Sequence, residues 1–309
     1  REERTLALRI FRSTWCSKTH EKLLGGAVVN TAKQVKDLIR NLSRKNGVDP
    51  QILIRQYTLE HLLERISLSC YNECFILKGG LLISALVGIA LRSTLDMDAT
   101  IKGFPLDQNT LMEMANEIIG IKMDDGIRYQ INSIDPIHED SEYNGYRISL
   151  TAFLDESRIP LKMDITTGDR ITPKEIDFSY PMLLEKRSIR IFSYNPETVL
   201  AEKLETILSR SLANTRMRDF YDVYVLTEMK WNTIEPKILR SAFLATCNDR
   251  GSQSALNESD RIFANIKASV DLEQSWQGYQ QKYDYAREIS FDAVCSSLEK
   301  ILNIMMLRK

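Results

Sequence analysis

The sequence predicts an α+β fold, in which a mixed β-sheet has helices before it and a mainly helical remainder after it. Three observations support this class. Apolar residues recur at helical spacing over residues 30–66, alternating stretches typical of strands dominate residues 75–192, and helical patterns return from Pro196 onward. Because strands and helices are segregated along the chain, a doubly wound parallel sheet, in which they alternate, is disfavoured.

Two helices come first. Asn30 can cap a helix that ends at Asn46-Gly47, because glycine favours the left-handed conformation that closes a helix. Asp49-Pro50 then starts a second helix, since proline fits the first helical turn. Both helices are predicted to serve packing. Residues 1–27 before them are interpreted as an N-terminal appendage, either a native extension or an artefact.

The predicted sheet begins at Phe75 with a short strand, which leads through a Gly79-Gly80 turn into a buried helix over 81–90. A strand over 95–101 and a helix over 111–119 follow. The remaining predicted strands cover 127–134, 146–153, 159–165 and 188–192. After Pro196, the clearest helices cover 219–229 and 291–306.

The amino-acid composition is that of an ordinary globular protein, and the net charge limits which binding partners are expected. The chain has 309 residues, of which 43% are hydrophobic and 27% charged, and a formal net charge of −1. Such a charge attracts neither nucleic acid nor membrane globally. The first 65 residues are basic and residues 96–177 are acidic. This suits a cation-loaded centre beside a phosphate-contacting surface, although charge alone favours simple solvated faces.

The five cysteines are odd in number and scattered, and Cys70 and Cys74 lack a second pair at zinc-site spacing. They indicate a reducing, cytoplasmic location. The most apolar run, residues 75–91, is interrupted by Lys78-Gly79-Gly80 and is short for a bilayer span, and the N-terminus lacks a hydrophobic signal core. No membrane partner is therefore expected.

Asp96 and Asp98 carry the clearest chemistry. They are two residues apart on a predicted strand, so both carboxylates project from one face while Leu95 and Met97 point to the other. Such neighbours repel each other unless a cation or a proton separates them. A divalent cation is the economical explanation, and hard oxygen ligands indicate Mg²⁺ or Mn²⁺.

Asp164, on another predicted strand, is the candidate third carboxylate, with Asp155 and Asp169 as nearby competitors. If its strand neighbours that of Asp96, three carboxylates converge, as two-metal chemistry requires. The Gly79-Gly80 pair lets backbone N–H groups approach an anion. Each feature alone is weak evidence, but a Gly-Gly pair shortly before an Asp-x-Asp is more specific.

These residues fall in motifs that resemble a known family. Leu77-Lys-Gly-Gly-Leu-Leu with Arg92-Ser-Thr-Leu-Asp-Met-Asp resembles the first motif of the AbiEii/MenT nucleotidyltransferase toxins, a branch of the polymerase-beta-like superfamily. Glu197-Thr-Val-Leu-Ala-Glu-Lys-Leu-Glu-Thr is similar to the family's lysine helix. Arg216-Met-Arg-Asp-Phe-Tyr-Asp-Val-Tyr is similar to its closing aspartate motif. The resemblance covers roughly residues 30–305.

The resemblance implies a polymerase-beta-like nucleotidyltransferase fold and a role for each matched residue. The implied catalytic residues are Asp96, Asp98, Lys203 and Asp219, and the implied metal ligands are Asp96, Asp98 and Asp164. The implied nucleotide-binding residues are Lys78, Gly79, Gly80, Arg92, Ser93 and Lys203. From the residues alone, Arg92 either touches phosphate or pairs with an acidic neighbour, and Asp219 either serves the site or stabilises a helix start.

The resemblance also implies domains and a function. A nucleotidyltransferase domain over residues 28–195 precedes a helical domain over 196–309 that contributes to the site. The implied reaction transfers a nucleoside monophosphate from an NTP to an acceptor, with pyrophosphate leaving, and uses Mg²⁺ or Mn²⁺. A tRNA 3′ end is the expected acceptor, and a cognate antitoxin is the expected partner of a toxin that restrains growth or phage spread.

Two alternatives remain at this point: transfer to a small-molecule or protein hydroxyl, and a non-catalytic nucleotide-binding partner module. The intact set of charged residues disfavours the second. Basic residues near the motifs could form a phosphate-binding rim for RNA, and these are Lys186, Arg187, Arg190, Arg210, Arg216 and Arg218. The sequence shows no stacked aromatic array, and Tyr221 and Tyr224 are interpreted as core or site-wall residues.

Overall fold

The computed structural model describes residues 31–103, 106–137 and 145–305. The chain divides into two compact units. The first unit takes the described residues up to Leu77, Thr94–Gly168 and Asp177–Phe192, and the second takes Lys78–Ser93, Asp169–Ile176 and the chain from Ser193 onward. The appendage predicted at residues 1–27 lies outside the described residues. The predicted domain boundary after residue 195 stays a prediction.

Two capped helices open the first unit. Helix α1 (Ala32–Asn46) is capped by Thr31, one residue after the predicted Asn30. Thr31 and Gln34 form a capping box, in which each side chain accepts a hydrogen bond from the other's backbone N–H. Gly47 ends α1 in the left-handed conformation, with φ at 67°. Asp49 caps α2 (Pro50–Leu68) by accepting a hydrogen bond from the Gln51 N–H at 2.7 Å.

A seven-stranded sheet has the order β3-β4-β5-β2-β1-β7-β6. Its strands are β1 (Phe75–Lys78), β2 (Asp96–Ile101), β3 (Ile127–Ile137), β4 (Gly145–Leu154), β5 (Ser157–Thr167), β6 (Ile176–Pro181) and β7 (Ser188–Ser193). Strands β2 and β5 run parallel, whereas β4 runs antiparallel to both β3 and β5. The sheet is mixed, and the predicted α+β class is confirmed.

Strand β6 was missed by the sequence prediction. It is the last strand in the sheet order, and Tyr180 is its only buried residue. An edge strand of this kind buries little on either face, so its sequence carries a weak apolar signal.

The central strands bury alternate residues. The positions between the buried ones carry Asp96 and Asp98 on β2, Asp164 on β5 and Arg147 on β4. Because side chains of a strand alternate between its two faces, packing of one face leaves these four charged residues together on the other. The buried positions are Met97, Ala99, Ile148, Leu150, Met163 and Ile165.

The other helices follow the predicted pattern of segregation. Between β2 and β3, α4 (Gln108–Ile119) belongs to the first unit and packs on β3. The second unit contains α3 (Gly79–Val87), α5 (Pro196–Arg210), α6 (Met217–Lys230), α7 (Pro236–Asp249), α8 (Gln253–Asn257), α9 (Ser259–Lys267), α10 (Val270–Lys282) and α11 (Phe291–Met305). None of the described helices is long and apolar enough to cross a membrane.

Two contacts place the helices that carry polar residues in the second unit. Asn195 caps α5 by accepting from the Thr198 N–H at 2.8 Å, and its amide donates to the Thr172 carbonyl at 2.8 Å. The hydroxyl of Tyr221 on α6 donates to the carbonyl of Leu91, just after α3. These hydrogen bonds fix the starts of α5 and α6 within their unit, where the two helices pack on each other.

Candidate active site

Asp96 and Asp98 share one face of β2, and Asp164 joins them from β5. In the parallel pairing, Asp98 lies directly opposite Asp164. Neighbouring strands are about 4.8 Å apart, so these paired side chains are close neighbours. All three carboxylates are half-buried. We call Asp96, Asp98 and Asp164 the acidic row, and the structure brings them together because β2 and β5 are adjacent.

The two competitors for the third carboxylate lie elsewhere. Asp155 is in the turn between β4 and β5, with φ at 54°, and its carboxylate is 3.9 Å from the Lys36 ammonium. Asp169 belongs to the second unit and pairs with Lys78 at 2.5 Å. Of the three candidates, Asp164 is the one that adjoins Asp98.

Arg147 on β4 is a member of this face that the sequence did not reveal. It lies opposite Asp164 in the β4–β5 pairing. Its Nε donates to Oδ1 of Asp164 at 2.8 Å, and its Nη2 donates to Oδ2 at 2.7 Å. These hydrogen bonds, with the charges of Asp164, Asp96 and Asp98, raise the pKa of Arg147. The guanidinium is therefore a permanent positive charge beside the acidic row.

The acidic row has the chemistry of a site for a hard divalent cation. Its donors are carboxylate oxygens, and Asp96 and Asp98 project side by side from one strand, as ligands of Mg²⁺ or Mn²⁺ do. Within the described residues, no group of three or more His, Cys, Asp or Glu side chains is already arranged to hold a metal ion. In this structure both oxygens of Asp164 accept hydrogen bonds from Arg147, so the carboxylate of Asp164 faces the guanidinium.

The second unit has its own charged centre, on α5 and α6. The ammonium of Lys203 lies 2.5 Å from Oδ1 of Asp219 and 3.3 Å from Oδ2 of Asp222. Burial alone would lower the pKa of Lys203, but the charges of Asp222 and Asp219 outweigh it and raise the pKa. Lys203 is therefore a protonated cation held by two carboxylates, not the surface lysine that its sequence alone would favour.

Asp222 was not among the predicted site residues, yet it is the centre of this arrangement. It is fully buried and accepts hydrogen bonds from Arg92 Nε at 2.6 Å and Nη2 at 3.3 Å. Burial tends to raise the pKa of Asp222, but the positive charges of Arg92 and Lys203 lower it. We call Arg92, Lys203, Asp219 and Asp222 the lysine cluster. The three-residue spacing of the two aspartates on one helix was the available signal.

Of the two interpretations left open for Arg92, the structure shows pairing with an acidic neighbour. Its side chain is 2% exposed and also donates to the carbonyl of Ser93. Ser93 is buried as well. Neither side chain faces solvent in this arrangement, so any contact with a nucleotide requires their rearrangement.

Lys78, Gly79 and Gly80 form the start of α3. Gly79 has φ at 65°, a backbone conformation that residues with a side chain rarely adopt. Lys78 precedes the helix in an extended conformation and makes no capping hydrogen bond, and α3 has no acidic residue in its first turn. The N-terminal end of α3 is the end of a helix that favours anions, and the ammonium of Lys78 beside it is paired with Asp169.

The residues proposed for a basic rim are mostly paired within their own units. Arg187 pairs with Glu64 and Glu185, and Arg190 pairs with Asp177. In the second unit, Arg216 lies 2.8 Å from Asp219. Lys186 and Arg210 are exposed. The basic rim stays a prediction, and several of its arginines form ion pairs with carboxylates of the protein.

An aromatic cluster in the second unit corrects one sequence interpretation. The rings of Tyr283 and Tyr285 are stacked, with centroids 5.3 Å apart, and Tyr221 lies 4.7 Å from Tyr285. Arg218 donates to the Tyr283 hydroxyl at 2.9 Å. This cluster was missed by the sequence prediction, because Tyr221 on α6 lies far along the chain from Tyr283 and Tyr285 and meets them only in the fold. Tyr221 is buried, as expected.

The chain resembles known proteins in its family pattern and in its fold. Residues 61–297 match the family model described as nucleotidyl transferase AbiEii toxin, type IV TA system. No curated protein sequence matches the chain. Its fold resembles MenT4, nucleotidyltransferase toxin Rv2826c from Mycobacterium tuberculosis H37Rv, with 14% identity and a TM-score of 0.55 over 88% of this chain and 89% of that one. JHP933 from Helicobacter pylori is similar at 13% identity, with a TM-score of 0.47 over 84% and 96% of the two chains.

Proposed function

Because this chain belongs to the AbiEii family, the nucleotidyltransferase toxins of type IV toxin–antitoxin systems, we propose that it transfers a nucleoside monophosphate from an NTP to a tRNA 3′ end in a reaction that depends on Mg²⁺ or Mn²⁺. Family membership confirms the resemblance and the enzyme class expected from the motifs, and it implies an antitoxin partner and an NTP substrate. The metal, the acceptor and the roles of individual residues are our proposals.

The observation that carries the proposal is the acidic row on one face of the sheet. Asp96 and Asp98 project from the same face, and Asp164 stands beside Asp98. We assign Asp96 and Asp98 as the principal ligands of the divalent cation and Asp164 as the third carboxylate. When bound, the cation offsets the negative charge of the triphosphate and lowers the pKa of an attacking hydroxyl.

The reaction itself needs positioning and charge more than covalent chemistry from the protein. The acceptor hydroxyl oxygen forms a bond to the α-phosphorus while the bond from that phosphorus to the bridging oxygen breaks. Pyrophosphate leaves with the bridging oxygen, and the hydroxyl proton passes to a carboxylate of the acidic row or to water. Asp96 is the residue whose loss should stop this step.

Lys203 is proposed to contact the triphosphate. Its side chain is 18% exposed, whereas those of Asp219 and Asp222 are nearly or fully buried. Lys203 is thus the more exposed member of the cluster's ion pairs, and its ammonium is held by the two buried carboxylates. A compact ammonium with three donors suits non-bridging phosphate oxygens. Asp219 is proposed to position Lys203.

The start of α3 is proposed to bind phosphate oxygens as well. The left-handed Gly79 turns the chain from β1 into α3, whose N-terminal end favours an anion, and a phosphate there would compete with Asp169 for the ammonium of Lys78. Arg92 and Ser93 were expected to bind nucleotide too. Their burial supports an indirect role, in which Arg92 fixes Asp222 and thereby Lys203.

The test is label transfer. Purified protein, Mg²⁺ and each α-labelled NTP in turn are incubated with bacterial tRNA, with total protein and with small-molecule acceptors. We expect label in tRNA with one preferred NTP. Asp96→Asn should remove the label, whereas Asp155→Asn, a matched control at a left-handed position that asparagine tolerates, should keep it.

Each other outcome points to a different function. Label in a small molecule or a protein would replace tRNA as the acceptor while keeping nucleotidyl transfer. A third outcome is that the protein labels no acceptor but still arrests growth, and that the Asp96→Asn variant arrests growth equally. This outcome would contradict nucleotidyl transfer and favour a nucleotide-binding partner module.

A further inference from the structure

We propose that Arg147 is a built-in counter-cation of the acidic row: its guanidinium holds Asp164 while no divalent cation is bound, and a cation that enters the row must take Asp164 from it. This inference rests on the metal-dependent function proposed above. It adds a residue, outside the matched motifs, that sets the affinity for the metal.

The strand register places Asp98 and Arg147 on opposite sides of Asp164. Asp164 lies opposite Asp98 in the β2–β5 pairing and opposite Arg147 in the β4–β5 pairing. The order across the three strands is therefore Asp98, Asp164, Arg147. A cation between Asp98 and Asp164 and the guanidinium of Arg147 would compete for the same carboxylate.

The hydrogen-bond geometry makes this competition direct. A carboxylate has about four lone-pair positions on its two oxygens. Arg147 donates one N–H to each oxygen of Asp164, at 2.8 and 2.7 Å, so the pair is bidentate. A bidentate arginine takes the outward end of the carboxylate, which is also the end a metal ion uses when both oxygens bind it. Full ligation by Asp164 therefore requires at least one of these hydrogen bonds to break.

The environment of the pair allows such exchange. The side chain of Arg147 is 43% exposed and that of Asp164 is 20% exposed. A guanidinium at this exposure can be hydrated when it leaves Asp164, so release leaves no buried unpaired charge. The pair can thus open and close without disturbing the packed face of the sheet.

A second cation on the same face offers a matched control. Lys162 lies opposite Asp96 in the β2–β5 pairing and is exposed. It carries the same charge as Arg147 and borders the same row. If any nearby positive charge weakened metal binding, Lys162 and Arg147 would act alike. The inference requires Arg147 to dominate, because it occupies a ligand.

The experiment is a titration with Mn²⁺ alone, without nucleotide, in which free Mn²⁺ is followed by electron paramagnetic resonance. The proteins are the wild type, Arg147→Met, Arg147→Gln, Lys162→Met and Asp96→Asn, each checked for folding by circular dichroism. We expect Arg147→Met and Arg147→Gln to bind Mn²⁺ at least tenfold more tightly than the wild type. Lys162→Met should change the Kd less than threefold, and Asp96→Asn should lose the binding.

The outcomes separate this inference from the function on which it rests. Unchanged or weaker Mn²⁺ binding in both Arg147 variants would overturn the inference while leaving the metal site in place, and weaker binding would make Arg147 an orienting residue for Asp164. Equal tightening by Lys162→Met would also overturn it. Binding in none of the proteins would contradict the metal dependence itself. Binding in the Arg147 variants with none in the wild type would support the inference.

Discussion

Two arginine–aspartate pairs in this protein have the same chemistry and different surroundings. Arg92–Asp222 lies in the lysine cluster, with side chains 2% and 0% exposed, whereas Arg147–Asp164 lies in the acidic row, with side chains 43% and 20% exposed. Removing one partner of a buried pair leaves an unpaired charge in the protein interior. When one partner of an exposed pair is removed, water hydrates the charge that remains. Burial, more than hydrogen-bond geometry, therefore decides which pair is fixed and which can open.

The largest effect expected from this comparison is on stability. Arg92→Met leaves the buried Asp222 carboxylate with Lys203 alone, and we expect it to lower the free energy of unfolding by about 3–5 kcal/mol. Urea denaturation followed by circular dichroism measures the change. A loss below about 1 kcal/mol would mean that the buried pair is no more fixed than the exposed one.

The pH dependence of stability should have opposite signs for two buried carboxylates, Glu60 and Asp222. Burial raises the pKa of Glu60 on α2 to about 8, above its usual 4.5, despite hydrogen bonds from Leu183 N–H and Tyr180. Folded Glu60 thus keeps a proton that the unfolded chain releases, so stability falls as pH rises from about 4.5 to 8, by up to about 4 kcal/mol. Glu60→Gln should flatten this fall in urea titrations at several pH values.

Asp222 should make stability fall as the pH is lowered, not as it is raised. Its pKa is lowered by Arg92 and Lys203, so its stabilisation is complete above the unfolded pKa of about 3.8 and is lost as the pH falls through the lower folded value. An Asp222→Asn protein should therefore lack part of the acid-induced destabilisation below pH 4. A fall in stability that is equally steep with and without Asp222 would contradict its pairing.

The next effect is on activity. Lys203→Met should reduce label transfer by about 100-fold, since a single preorganised charge on a phosphate is worth roughly 3 kcal/mol in the transition state. Rates are compared per folded protein, because the change also removes a partner of Asp219. Lys237→Met, at an exposed position of α7 in the same unit, is the matched control and should transfer normally. Equal loss in both proteins would remove Lys203 from the site.

The smallest effect is on the exposed pair. Arg147→Met should change the free energy of unfolding by less than about 1 kcal/mol, because Arg147 is replaced at Asp164 by water. The measurement is the urea denaturation used for Arg92→Met. A loss comparable to that of Arg92→Met would show that Arg147 is a structural residue, and its proposed exchange with a metal ion would then be untenable.

The sequence predicted what depends on local pattern. The period of two put Asp96 and Asp98 on one face, and Asp49-Pro50 and Asn46-Gly47 marked helix ends that the structure confirms. Segregated helical and alternating segments were enough for the α+β class. These features are set by residues close together in the chain.

What the sequence could not supply depends on strand order and register. Arg147 reaches Asp164 only because β4 pairs with β5 in one register, and a shift of one residue would turn it to the other face. Asp222 is held by hydrogen bonds from Arg92, a residue that is far away in the chain. The contact of Tyr221 with Tyr285 likewise joins residues that are far apart in the chain. The β2–β5 pairing places Asp164, and not Asp155, opposite Asp98, while the role of Asp164 as the third carboxylate stays a prediction.

Locating the metal ion would test the role of the acidic row most directly. Crystals of the protein grown with Mn²⁺ and a non-hydrolysable NTP would be measured at a wavelength that gives anomalous scattering from manganese. We expect an anomalous peak at about 2.1 Å from carboxylate oxygens of Asp96 and Asp98, as in magnesium sites, with Arg147 withdrawn from at least one oxygen of Asp164. A peak elsewhere, or nucleotide bound with no peak at the acidic row, would contradict it.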